Sequence, residues 1–300
     1  MDINSDGKTV GIVYFSGTGG TTRAVDCLER SLIARGCLVQ KNSLEISGSE
    51  AEDRNQADTA YDILMVVYPV HAFDAPEVIY DWIERLPGGK GIPAAVISVS
   101  GGGEVWPNTA SRAGCIKALE RKGFNVIYER MLIMPSNIFI DTHDHLAIHL
   151  LKCLPIKAEH CASEILFGIR RRKRVPATAR IVSAICKLEK PGARLFGRGL
   201  SATGACSSCG WCQLNCPRHN ISMRDGRPNF GGKCIACLRC FYGCPRSAIR
   251  ARLFGFAAVK KGYDLNKLEQ RMDGVELESA EKLAKGVFAS LLGYIRNVEL

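Results

Sequence analysis

Eight of the fourteen cysteines fall in two runs of one pattern. Residues 206–221 read C-S-S-C-G-W-C-Q-L-N-C-P-R-H-N-I, and residues 234–249 read C-I-A-C-L-R-C-F-Y-G-C-P-R-S-A-I. Each is C-x2-C-x2-C-x3-C-P, and the second repeats the first 28 residues on: Cys206/Cys234, Cys209/Cys237, Cys212/Cys240, Cys216/Cys244, Pro217/Pro245 and Ile221/Ile249. Thiolates so spaced suit a metal centre. Structural zinc takes four ligands, usually as two pairs, which two tandem sets of three plus one do not supply. Disulfides need an oxidising compartment, and the opening M-D-I-N-S-D-G-K carries no apolar targeting segment. A reducing, cytoplasmic setting is therefore expected.

The doubled run resembles the bacterial-type ferredoxin domain, which holds two [4Fe-4S] clusters. Three thiolates two residues apart wrap three corners of an iron–sulfur cube, and the loop is too tight to reach the fourth iron. The fourth ligand then comes from the cysteine before proline in the other half. The resemblance implies one cluster on Cys206, Cys209, Cys212 and Cys244, and the other on Cys234, Cys237, Cys240 and Cys216. The remaining Cys27, Cys37, Cys115, Cys153, Cys161 and Cys186 are scattered and read as small buried hydrophobes.

A second chemical signal lies near the start. Residues 8–15, K-T-V-G-I-V-Y-F, read as a buried strand. Ser16, Gly17, Thr18, Gly19, Gly20, Thr21 and Thr22 form a glycine–hydroxyl loop, and residues 23–34 follow with apolar Val25, Leu28, Leu32 and Ile33 at helical spacing. Strand, small-residue loop and helix is a layout for holding a phosphate. Glycines let backbone amides converge on the anion, hydroxyls add donors, and the helix start supplies partial positive charge. The loop is not a P-loop, because no Gly-Lys-Ser/Thr follows. It lacks the G-x-G-x-x-G spacing of a dinucleotide fold, so direct NAD(P)H oxidation is not expected.

The elements that must position this loop alternate strand and helix. Strands are expected at 37–44, 61–68, 92–100 and 125–134, and helices at 76–86, about 108–122 and 146–168, the last interrupted near Pro155. Residues 47–60 read as a polar loop. Such alternation predicts a doubly wound parallel sheet covered on both faces. Ligands of open α/β sheets sit at the carboxyl ends of the strands, where the loops 16–22, 69–75, 100–108 and 135–145 arrive.

Residues 16–21 resemble the FMN phosphate loop of flavodoxins, S/T-x-T-G-x-T. The resemblance implies an α/β flavodoxin-like sheet of order 2-1-3-4-5, with Ser16, Thr18, Thr21 and Thr22 as phosphate ligands. Many flavodoxins have Asn where this chain has Gly20. It also implies that the second and third loops enclose the isoalloxazine ring: Pro69, Val70, His71, Ala72 and Phe73 on one side, and Ser100, Gly101, Gly102, Gly103 and Trp106 on the other. Flavodoxins often place a glycine in the second loop; residues 69–75 have none. His71 is a candidate proton donor and Trp106 a candidate ring-stacking residue. His143, His145 and His149 cluster by the fourth loop without a Glu to complete a zinc pattern. Asn137 and His143 are candidates to line a substrate or partner site.

The chain divides into four parts: 1–168, flavodoxin-like; 169–200, a basic linker opening with the run 170–174 and punctuated by Pro176, Pro191 and Gly192; 201–252, ferredoxin; and 253–300, a helical extension with a docking helix at 279–295. Asp225-Gly226 marks a hairpin within 222–230. Net charge is −5 over residues 1–160 and +15 over 161–300. The basic half lacks any nucleic-acid motif, and two oxidised clusters add roughly −4. No nucleic-acid partner is expected. The linker's charge suits a clamp onto the acidic first domain or a dock for an acidic redox partner. No apolar run approaches the ~20 residues of a membrane span.

Together the halves resemble flavodoxin–ferredoxin fusion proteins of anaerobic prokaryotes, over residues 10–249. The resemblance implies FMN in the first domain, two [4Fe-4S] clusters in the second, and electron transfer between them and on to a redox partner protein. The alternative is an FMN-dependent reductase of a small organic acceptor, fed by its own ferredoxin domain.

Overall fold

The central strands alternate their side chains between two apolar layers. Val10 and Ile12 pack with Ala24, Leu28 and Leu32 on one face, while Val13 and Phe15 pack with Ile79, Trp82 and Leu119 on the other. A parallel sheet with helical crossovers has both faces covered in this way. The computed structural model describes residues 7–44, 61–173, 176, 178, 181, 189–252, 255, 258–259 and 262–297. The expected polar loop at 47–60 and Cys186 lie outside the described residues, as does Arg174 of the basic run.

The sheet comprises β1 (Thr9–Tyr14), β2 (Leu38–Ser43), β3 (Ile63–Pro69), β4 (Pro93–Ser100) and β5 (Asn125–Ile133), all parallel, in the order β2-β1-β3-β4-β5. This is the flavodoxin-like doubly wound order, whose ligand crevice opens at the carboxyl ends of β1 and β3. Helices α1 (Gly20–Ile33) and α4 (Asp144–Leu166) cover one face, and α2 (Glu77–Arg85) and α3 (Ala113–Arg121) the other.

Two helices differ from expectation. The one expected over 108–122 is a 3-10 turn, Asn108–Ala110, followed by α3. The break falls beside Arg112, whose side chain is turned fully inward. α4 runs unbroken through Pro155. Pro155 is on the exposed face, while Leu151, Leu154 and Ala158 hold the helix to the core.

The basic run closes the open edge of β5. Arg171 exchanges backbone hydrogen bonds with it: Glu129 N donates to Arg171 O at 2.9 Å, and Arg171 N donates to Ile127 O at 3.0 Å. Arg172 pairs with Glu120 at 2.8 Å, and the Lys173 amide donates to Glu129 at 2.7 Å. An exposed sheet edge is thereby covered. Beyond it, α5 (Glu189–Arg198) contains Pro191 and Gly192, which do not break it; Pro191 stands in the first turn, where no helical donor is needed.

The second domain is small. β6 (Leu200–Ala202) pairs antiparallel with β9 (Ile249–Ala251), and β7 (Ile221–Arg224) with β8 (Arg227–Phe230). The β7–β8 turn is Asp225-Gly226, both left-handed at φ 47° and 70°, as a tight type I′ hairpin requires. Two short helices, α6 (Trp211–Leu214) and α7 (Arg239–Tyr242), follow equivalent positions of the repeat.

The C-terminal extension wraps the first domain with α8 (Leu265–Gln270), α9 (Ala280–Leu283), a 3-10 turn and α10 (Ala289–Arg296). The docking helix expected at 279–295 is thus split, at an extended Lys285 and a left-handed Gly286 (φ 56°). It docks nonetheless: Ala280, Ala284, Leu291 and Ile295 bury against Ile133, Leu146 and Leu150. Among the described residues no helix is long and apolar enough to cross a membrane.

Candidate functional site

The glycine–hydroxyl loop leaves β1 and enters α1 at the crevice. Ser16 and Thr21 are buried. Ser16 Oγ accepts from the Gly19 amide at 3.1 Å and the Thr22 amide at 3.3 Å, and Thr18 Oγ1 accepts from Asn137 Nδ2 at 2.7 Å. Both hydroxyls receive hydrogen bonds at oxygen, so each keeps its proton for an anion. Gly19 is left-handed (φ 90°) and caps α1, whose first turn carries no acidic residue. Arg23 donates to Glu269 at 2.6 and 2.7 Å and to Asn266 at 2.5 Å, and its Nη1 donates to Gly19 O of the loop itself at 3.3 Å. The loop therefore meets an anion with amides, hydroxyls and the α1 dipole.

The second loop turns without glycine. His71 and Asp74 exchange both backbone hydrogen bonds (3.0 and 2.8 Å), and the residues between them, Ala72 and Phe73, are left-handed at φ 46° and 61°. Asp74 Oδ1 fixes the turn by accepting from the Ala75 amide at 2.8 Å and Tyr80 Oη at 2.5 Å. Burial pushes His71 down to about 4, against a weaker opposing effect of its hydrogen bond to the Ile235 backbone. Its imidazole is neutral at neutral pH and keeps one ring N–H.

The third loop is pinned at both ends. Ser100 Oγ accepts from the Gly102 amide and Asn108 Nδ2, both at 3.2 Å, and Asn108 also donates to Gly103 O at 3.1 Å. A Cβ at Gly101 would lie 2.5 Å from Ser136 Cα, so the third and fourth loops touch backbone to backbone. Glu104 accepts from the buried Arg112 at 2.7 Å and pairs with Lys173 at 2.9 Å; Arg112 also donates to Glu129 at 2.9 Å and Ser98 at 3.0 Å. Trp106 stands 60 % exposed at the outer end of the loop.

The eight cysteines separate into two sets of four. Cys216, Cys234, Cys237 and Cys240 line one cavity, and Cys206, Cys209, Cys212 and Cys244 line another. All eight thiols are free. The 28-residue repeat is also a structural one. Left-handed backbone recurs at Ser208/Ala236, Gly210/Leu238 and His219/Ser247. The Asn220 amide donates to Cys216 Sγ at 3.3 Å, and its counterpart, the Ala248 amide, donates to Cys244 Sγ at 3.2 Å. Among the described residues no three His, Cys, Asp or Glu close on a single metal ion. The thiols stand around cavities instead.

The second domain sits on the crevice. Ile235, between two of the cysteines, is 8 % exposed and joins the apolar layer of Val13, Phe15 and Tyr68. Tyr242 Oη donates to Asn137 O at 2.7 Å and accepts from the Val259 amide at 2.7 Å. Arg218 pairs with Asp81 and lies 4.0 Å from Glu77. Tyr263 Oη donates to Pro135 O at 3.1 Å. None of these four was singled out by sequence. Ile235 is an ordinary apolar residue inside a cysteine motif, and nothing local marks Arg218, Tyr242 or Tyr263.

The histidines of the fourth loop staple the extension to α4. His143 caps the helix, accepting from the His145 amide at 3.3 Å; His145 Nδ1 accepts from the Glu278 amide at 3.2 Å; His149 Nε2 lies 2.9 Å from Glu278 O. Asn137 bridges the glycine–hydroxyl loop, through Thr18, and α7, through Tyr242.

No protein-family model and no curated protein matches the chain. Among solved structures it is similar to an archaeal flavodoxin (12 % identity, TM-score 0.36, over 52 % of this chain and 98 % of that one). It is also similar to a mutant flavodoxin from Pseudomonas aeruginosa (15 %, 0.40, over 54 % and 99 %). A third is the rubredoxin oxygen:oxidoreductase of Desulfovibrio gigas (15 %, 0.34), where 56 % of this chain covers 38 % of that one. The strand order, not these likenesses, defines the fold.

Proposed function

We propose that the chain is an electron-transfer flavo-iron–sulfur protein, binding FMN in the crevice of the first domain and two [4Fe-4S] clusters in the second. The observation that carries this reading is the sorting of eight free cysteines into two four-thiol cavities, one of them seated on the crevice. The cavities fit clusters: each offers three thiols from one run and one from the other, with an amide aimed at the fourth sulfur. The crevice fits FMN. Ser16 and Thr18 present hydroxyl protons, the α1 start presents amides, and the loops 69–73 and 100–103 leave β3 and β4 at the same edge of the sheet. Such centres would supply one-electron exchange at the clusters and one- or two-electron exchange at the flavin.

The carrier reading is favoured over a reductase because the Ile235 and Cys237 backbones occupy the crevice mouth, where a small acceptor would need room. The partner follows from charge. Residues 201–252 hold eight Arg or Lys against one Asp, which suits an acidic one-electron carrier protein.

The test is iron, sulfide and flavin content of anaerobically prepared protein, followed by stepwise reduction watched by visible absorbance and EPR. About eight iron and one FMN per chain are expected. Iron without flavin, even after FMN is added, removes the first-domain assignment. Zinc in place of iron removes the second.

A further inference from the structure

The two cysteine cavities are alike in chemistry but not in place. The turn 234–238 of the second run crosses the mouth of the first domain. Its Ile235 side chain enters the apolar layer beside Phe15, and its backbone bonds His71 of the second crevice loop. Two residues on, the Cys237 carbonyl oxygen would lie 2.5 Å from a Cβ at Gly17 of the phosphate loop. One helical turn further, Tyr242 binds Asn137 O, and Asn137 Nδ2 binds Thr18. One turn and one short helix thus reach both the loop expected along the flavin ring and the loop expected around its phosphate.

The internal repeat supplies the control. The counterparts of Ile235, Cys237 and Tyr242, 28 residues earlier, are Ser207, Cys209 and Leu214, and all three are exposed, Leu214 by 70 %. The same backbone motif is buried on the first domain in one copy and bare to solvent in the other.

We propose that the two sites act in series: the Cys216/Cys234/Cys237/Cys240 site is proximal, wired to the flavin crevice, and the Cys206/Cys209/Cys212/Cys244 site is distal, the port at which an external one-electron donor exchanges electrons through the 207–214 turn. The inference rests on the flavin and cluster reading above. Its balance is simple. Two donor molecules are each oxidised by one electron, the electrons pass singly through the distal and then the proximal site, and the flavin is reduced by two electrons with protons drawn from solvent.

Hydrogen–deuterium exchange on the full chain with reconstituted clusters, with and without FMN, reads this arrangement without turnover. FMN is expected to slow exchange in 16–22, in 69–75 and in 234–238, and to leave 206–214 unchanged. Slowing confined to the first-domain loops, or equal in both cysteine turns, overturns the series order. No slowing anywhere withdraws the flavin reading itself, and the inference with it. A second measurement uses Asp81→Arg, which sets a guanidinium against Arg218 from the first domain's side of the interface. Under rapid mixing with a one-electron donor, cluster bleaching is expected to keep its wild-type rate while flavin bleaching loses its fast phase. Flavin bleaching as fast as in wild type overturns the proximal contact.

Discussion

The carbonyl oxygen of Cys237 stands over Gly17 so closely that a Cβ there would lie 2.5 Å away, nearer than side chains and backbone ever pack. Gly17 is not among the residues with left-handed backbone, so only the neighbouring domain forbids a side chain at this position. That fixes the sign of a test. With the domains docked, Gly17→Ala overpacks the interface and costs about 1–3 kcal/mol. With the domains apart, the same change restricts only the unfolded chain and stabilises by about 0.4–1 kcal/mol. Thermal unfolding of the full chain is expected to show a lowered midpoint, and proteolysis a faster cut between the domains. A raised midpoint would falsify the docked arrangement.

Ala72 holds a left-handed conformation (φ 46°) in a two-residue turn clamped by the His71–Asp74 backbone pair. An L-residue there costs roughly 1–2 kcal/mol that glycine avoids, while glycine adds about 0.4–1 kcal/mol of unfolded-chain entropy. Ala72→Gly is therefore expected to raise stability by up to about 1 kcal/mol in urea unfolding. A drop in stability would show that the methyl packs rather than strains.

The sheet was legible in the sequence because its signal is local. Residues 10–15 and 63–68 are apolar runs of strand length, and the layers they build follow from period-two alternation. The cysteine sets were legible because the repeat states them twice. The seating of one set on the crevice was not. It depends on Ile235, Arg218 and Tyr242, whose partners Phe15, Asp81 and Asn137 are over 100 residues away, and contacts at that separation leave no periodicity to read. Gly17 was visible as a loop glycine, but its cause, the Cys237 carbonyl, was not. The path of α4 through Pro155 was missed for a related reason: burial of Leu151, Leu154 and Ala158 outweighs a local breaker.

Arg112 and Glu129 form a buried pair, their side chains 0 % and 1 % exposed, and Glu104 shares the same guanidinium. Arg112→Met leaves Glu129 charged and buried, and is expected to cost about 3–5 kcal/mol. Lysine cannot replace the fork that reaches three acceptors. Glu104 supplies the pH dependence. Burial raises its pKa, but Arg112 and Lys173 outweigh burial and hold it below the ordinary 4.5. A carboxylate depressed on folding stabilises fully above 4.5, and that contribution fades as pH falls through the lower folded value. The stability gap between wild type and Glu104→Gln is expected to be widest at neutral pH and to close below 4.5. A gap that stays constant on acidification would show that the pair with Arg112 adds nothing at Glu104.

The second domain carries a strong positive charge. Arg224 and Arg246 are exposed beside the cavity of Cys206, Cys209, Cys212 and Cys244: Arg246 lines it, and Arg224 follows Met223, which also lines it. The clusters proposed above would contribute roughly −4 in their oxidised form, which eight Arg and Lys against one Asp still exceed. An acidic one-electron carrier should therefore be steered to this face, with a rate that falls steeply as salt shortens the screening length to about 10 Å near 0.1 M. The pair Arg224→Glu and Arg246→Glu is expected to lower the low-salt association rate by on the order of tenfold and to flatten its salt dependence, with little change at high salt. Neither side chain donates a hydrogen bond to the fold among those described, so stability should hold and the effect should be one of encounter. Stopped-flow reduction by an acidic carrier across a salt series measures both slopes. If the doubly substituted chain keeps the wild-type slope, the carrier docks elsewhere and the basic face serves only to offset the charge of the clusters beneath it.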